Sequence, residues 1–180
     1  MKNKRTLIIF LVFVCMLGTF MPYSISTANA ASKTSYKLNT KKIYTYTYYE
    51  PNGSKTTYTE KYVKKYKGGD LWKVSNWYEV WKEDKKGLKL GSKDPDYDAV
   101  IWDSCLSYPL KKGKKWKYDG VTFKIVSTNK TIKTKAGTFK NSIMVDIDGA
   151  STEYYVKGIG FVYSKTKSGY VKELVKLKSK

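Results

Sequence analysis

The sequence predicts an all-β protein: a single curved antiparallel meander, closing as a half-barrel or an open barrel. Three observations carry this. Aromatic or apolar residues recur at every second position in one segment after another. Turn formers such as Asn52-Gly53, Gly68-Gly69 and Asp148-Gly149 punctuate those segments. No stretch keeps the apolar period of a helix for three turns. A sheet of this kind must curl, close or pack on itself to protect its edges.

The elements follow in order. Tyr44, Tyr46 and Tyr48 alternate with Thr45 and Thr47, and Pro51-Asn52-Gly53-Ser54 turns the chain back into "KTTYTEKYVKKY". After Gly68-Gly69-Asp70, Leu71 to Glu83 reads as one strand. One face of it carries Trp72, Val74, Tyr78 and Val80; the other carries Trp77, Glu79 and Trp81. Asp84 to Gly87 is a turn. Leu88 to Pro109 is the least regular part and reads as a long loop with a short apolar piece from Ala99 to Trp102. The pattern resumes with "KKWKYDG" and with Val121, Phe123 and Ile125 on one face. Thr131 to Ile147 reads as a hairpin, with Lys135-Ala136-Gly137 as its turn and Phe139, Ile143, Val145 and Ile147 toward the core. "STEYYVKG", "FVYSK" and "YVKELVKLK" complete nine or ten expected strands.

The first thirty residues read as a secretory signal peptide. Lys2, Lys4 and Arg5 precede the apolar run Leu7 to Leu17, and Ala28-Asn29-Ala30 places small residues before a cut near Ala30. That run is shorter than the roughly twenty residues needed to span a bilayer. Cys15 follows Val12-Phe13-Val14, whereas a lipidation site needs a small residue before its cysteine. Residues 31–40 read as a short tether, and 41–180 as one antiparallel β-domain. The expectation is a secreted or surface-associated chain with no transmembrane segment after cleavage.

Beyond residue 30 every basic residue is a lysine, 32 of them against 15 acids, a net charge of +17. Lysine is a hydrated point charge without the planar fork of arginine, so this surface favours diffuse, salt-sensitive attraction. Anionic wall polymers or a membrane surface are the partners it suits. Nucleic acid is disfavoured by the absence of arginine and of any recognised fingerprint. Lys111, Lys112, Lys114, Lys115 and Lys117 form the densest basic patch.

Histidine is absent, which removes Ser-His-Asp and Cys-His catalysis and His-bound zinc. Cys105 stands alone after cleavage, so no internal disulfide forms; it is either a buried small hydrophobe or a reactive thiol. Asp94, Asp96 and Asp98 imitate the start of a calcium loop, but Ala99 and Cys105 occupy the places of its glycine and glutamate. Glu79, Asp103 and Glu153 are carboxylates of the kind glycoside hydrolysis uses, yet nothing singles out a pair. No cofactor and no metal are expected, and the chain reads as non-catalytic.

Trp77, Trp81, Tyr44, Tyr46 and Tyr48 are the candidate ligand-binding residues, as rings lining a groove rimmed by the lysine patch. The opposing reading is that these rings are sheet packing. Two functions follow: association with the anionic cell envelope, or carriage of an apolar ligand such as a lipid or lipoprotein in a half-barrel cavity.

In the second half, "YPLKKGKKWKY", "IKTKAGTFKNSIMV", "EYYVKGIGFVYSK" and "KELVKLK" occur in that order. They carry Lys-Gly-x-x-Trp, Thr-x-x-Gly-x-Phe and Tyr-Tyr-x-x-Gly-x-Gly-x-Val motifs. This resembles the β-domains of a group of uncharacterised secreted proteins and lipoproteins of Gram-positive bacteria. The resemblance implies a curved antiparallel sheet, similar to the half-barrels of lipoprotein carriers, and carries no catalytic residues.

Overall fold

The structure is a computed structural model that describes residues 35–93 and 98–180. The expected signal peptide, residues 31–34 of the expected tether, and Asp94 and Asp96 lie outside the described residues. Twelve strands run β1 Lys42–Tyr49, β2 Lys55–Tyr66, β3 Gly69–Val74, β4 Trp77–Glu83, β5 Gly87–Lys93 and β6 Val100–Ser107. The second half supplies β7 Lys115–Tyr118, β8 Val121–Thr134, β9 Gly137–Ile147, β10 Ser151–Val156, β11 Gly160–Thr166 and β12 Val171–Ser179. Consecutive strands pair antiparallel within β1–β6 and within β7–β12, and β1 pairs with β12. The meander therefore returns on itself as a barrel closed everywhere except between β6 and β7.

Directly opposed residues share a face of the sheet, so the register gives the inside. Tyr46 faces Tyr58 on one side and Leu174 on the other; Tyr44 faces Glu60 and Leu177; Tyr48 faces Thr56 and Lys172. The inward rings fill the barrel. Trp72, fully buried, meets Tyr44 edge-on at 5.6 Å and Tyr62 at 5.9 Å. Burying a side chain of this size stabilises the fold by roughly 2–3 kcal/mol.

Two expectations are corrected. Leu71 to Glu83 is a hairpin: Val74 opposes Trp77 across the two-residue turn Ser75-Asn76, and Ser75 takes a φ of 51°. The turn changes the parity, so Trp72 and Val74 share the inner face with Trp77, Glu79 and Trp81. Leu88 to Pro109 is not a long loop, because β5 and β6 pair through it. Gly91 interrupts the apolar pattern for a packing reason. A Cβ there would lie 2.3 Å from Val100 Cγ1 and 3.0 Å from the Trp102 ring. The strand count is accordingly twelve rather than nine or ten.

The β8–β9 hairpin forms where the sequence places it, turning at Lys135-Ala136. Its tip has a structural task. β11 and β12 pair only from Tyr163–Glu173 to Lys165–Val171. Beyond that, Ala136 N donates to Leu174 O at 3.2 Å, and Lys135 N donates to Glu173 Oε1 at 2.7 Å. The hydroxyls of Tyr44 and Tyr46 donate to the carbonyls of Ile159 and Phe161 in the same region. Residues 35–40 pack across this end of the barrel. Leu38 is buried against Gly160, Lys37 Nζ lies 2.6 Å from Asp70, and Gly158 N donates to Ser35 O. Glu83 accepts from Ser35 Oγ, the Tyr36 amide and the Tyr108 hydroxyl.

Candidate ligand-binding cavity

The opposite end, where β1 turns into β2 and β3 into β4, has no such plug among the described residues. Trp77, Ile101, Val121 and Tyr170 are exposed there, each at or beside the start of a strand that runs inward from this rim. Between rim and plug lies a cavity of about 290 Å³. Trp81, Leu90, Phe123, Ile147 and Phe161 form its apolar wall. Asp103, Ser104, Cys105, Glu153, Tyr155, Ser164 and Lys172 supply its polar groups. Three of these lie in one row across neighbouring strands, Glu153 on β10 beside Ser164 on β11 beside Lys172 on β12.

Lys172 organises the charge. Its ammonium lies 3.4 Å from Glu60 Oε1 and sits over three rings, 4.8 Å from Tyr46, 5.1 Å from Phe161 and 5.5 Å from Tyr58. Burial works against that charge, but the fields of Glu60 and Glu79 outweigh it and hold the ammonium protonated. Burial pushes the Glu60 carboxyl up to about 7, with Lys172 opposing and Glu79 adding to the rise. Glu153 is also raised by burial, partly offset by the Tyr155 hydroxyl and Lys172. The Cys105 thiol is buried and raised, first by desolvation and then by Glu153, so it stays protonated and is a poor nucleophile.

Several buried polar atoms have no partner among the described residues: Oε2 of Glu60 and of Glu79, and the indole N–H groups of Trp72, Trp116 and Trp81, of which Trp81 belongs to the cavity wall. Such groups cost free energy unless something hydrogen-bonds to them.

The candidate residues distribute as follows. Tyr44 and Tyr46 are fully buried and spend their hydroxyls on backbone carbonyls; Tyr48 is half-buried and stacks on Tyr170. Trp81 lines the cavity, while Trp77 stands at the rim, 6.0 Å from the Tyr58 ring, with its indole reaching Glu79. All five belong to the inner face. Lys111, Lys112, Lys115 and Lys117 are exposed on and beside β7, and Lys114 donates to the Tyr108 carbonyl. The lysine patch thus flanks the open seam, outside the barrel. Of the three carboxylates, Asp103, which is exposed, and Glu153 both line the cavity, and Glu79 lies beside the Glu60–Lys172 pair. Asp98 is ion-paired with Lys67.

Sequence reading missed Glu60, Tyr155, Ser164 and Lys172. A signal for one was present: Tyr58, Glu60 and Tyr62 alternate, which puts a carboxylate among inward rings. Searches against protein-family models, characterised proteins and solved structures returned no match.

Proposed function

We propose that this is an exported, non-catalytic barrel that carries a small amphipathic molecule in its interior. The observation behind this reading is the cavity itself, lined both by apolar side chains and by a polar row, with Leu38 absent from its lining. Its volume is at the lower end of the ~300–1,000 Å³ typical of ligand sites, which suits a single small molecule. A neutral fluorescent probe, N-phenyl-1-naphthylamine, is expected to bind saturably and to receive energy from Trp81. Replacing Ser164 by Trp should fill the space and abolish that binding. Equal binding by both proteins, or none by either, removes the reading.

The exterior supports a second role. Exposed lysines cover the outer face, and the dense patch beside the seam suits the phosphates of wall polymers or lipid headgroups. Binding to purified wall material should weaken strongly between low salt and ~0.5 M salt, where surface charges are screened within a few ångströms. Salt-independent binding would rule that mechanism out.

A further inference from the structure

Inside and outside of this barrel carry opposite charge. The chain beyond residue 30 is strongly basic, yet among the described residues lining the cavity Lys172 is the one base against Asp103 and Glu153. That base is already engaged, held by Glu60 and three aromatic rings, with Glu79 adding to the field around it. An anionic headgroup entering the cavity would find Lys172 neutralised and two further carboxylates facing it. A cationic headgroup would find Asp103 and Glu153 outside any ion pair among the described residues, with Glu153 accepting from the Tyr155 hydroxyl and Lys172 shared with Glu60.

Glu60 and Glu79 lie outside the cavity lining and add negative charge behind Lys172. Trp81, 3% exposed in the cavity wall, holds an indole N–H with no acceptor. A guest whose head donates hydrogen bonds suits the Asp103 and Glu153 carboxylates; a fatty carboxylate does not. The apolar wall of Trp81, Phe123 and Phe161 takes the body of such a molecule and places aromatic faces near a cation.

We propose that the cavity selects an organic amine, an ammonium head on a short apolar body, with Asp103 and Glu153 as its counter-ions. This rests on the carrier reading above. The exterior predicts the reverse preference, since a basic surface attracts anions, so the two charge distributions can be told apart by experiment.

The test compares decylamine, decanol and decanoate, which share one chain and differ in the head. Displacement of N-phenyl-1-naphthylamine is followed at neutral pH on the protein lacking residues 1–30. Decylamine is expected to bind at least about tenfold more tightly than decanol, the worth of one charge-assisted hydrogen bond, and decanoate more weakly than decanol. Glu153→Gln and Asp103→Asn should each weaken decylamine by about tenfold and leave decanol unchanged. Lys172→Met should move the preference further toward the amine. If that variant does not fold, the two carboxylate variants still decide. Decanoate binding as well as or better than decylamine overturns the amine assignment while leaving the carrier reading intact. Equal decylamine affinity in the wild type and both carboxylate variants also overturns it. Displacement by none of the three compounds overturns both.

Discussion

The β1–β12 junction and the β6–β7 seam are the two places where the meander's ends meet, and they are opposites. At the junction, strands from the two extremes of the domain pair from Lys42–Ser179 to Tyr49–Val171, with one register shift between Thr45 and Tyr46. At the seam, strands joined by residues 108–114 form no ladder, and the Tyr118 hydroxyl donates to the Trp102 carbonyl across it. Sequence proximity did not decide where the barrel closes; side-chain fit did. Tyr44 and Tyr46 on β1 lock onto Leu174 and Leu177 on β12. β7 is only four residues long and presents Lys115 and Lys117 outward, features that keep an edge from pairing. The open edge lies beside the cavity, whose walls include Ser104 and Cys105 on β6 and Phe123 on β8.

The junction should therefore be the costlier place to damage. Leu174 is fully buried opposite Tyr46. Leu174→Ala should lower stability by about 2–5 kcal/mol, measured as a shift in the urea midpoint. A loss under ~1 kcal/mol would mean that the junction is not what holds the barrel shut.

The same contrast explains what the sequence disclosed. Strict alternation at Tyr44, Tyr46 and Tyr48, and glycine turns at Gly53 and Gly149, made the fold class legible. Ser75-Asn76 did not, because a two-residue turn without glycine or proline looks like a continuing strand. Gly87, Gly91 and Ser92 made β5 look like loop, although Gly91 is there to admit the Trp102 ring. The site was less legible still. Glu60, Glu153 and Lys172 sit on three distant strands, and a charged residue at an alternating position is ordinarily an outward one. Only the closure through β12 turns Lys172 inward against Glu60.

The next largest effect is one of pH, and it belongs to the inward side of the junction. The Glu60 carboxyl is raised in the folded state from 4.5 to about 7, so the folded chain holds its proton more tightly than the unfolded chain. The stability this gives is fully present below pH ~4.5 and is lost as pH rises toward ~7, up to about 3 kcal/mol. Glu153, raised in the same direction, adds to the slope, while Lys172 opposes the rise at both carboxyls. Urea unfolding at pH 5 and pH 7.5 should show the wild type losing stability between them. Glu60→Gln should flatten most of that difference, because an amide stays neutral throughout. An unchanged slope in the variant would show that Glu60 is not the titrating group.

The smallest effect belongs to the seam. Tyr118→Phe removes one hydroxyl and its hydrogen bond to the Trp102 carbonyl, a change of about 1 kcal/mol or less in global stability. Locally it should matter more. Because no ladder backs it up, losing it frees β6 and β7 to part without unfolding the rest. Amide exchange should quicken in Val100–Ser107 and Lys115–Tyr118 and stay unchanged along Lys42–Tyr49 and Val171–Ser179. Release of a bound probe from the cavity should quicken alongside, since Asp103, Ser104 and Cys105 on β6, one of the two seam strands, line the space. Exchange rising equally in β1 and β12 would instead mean that the seam and the junction open together, as one cooperative unit, and the distinction between them would be one of geometry alone.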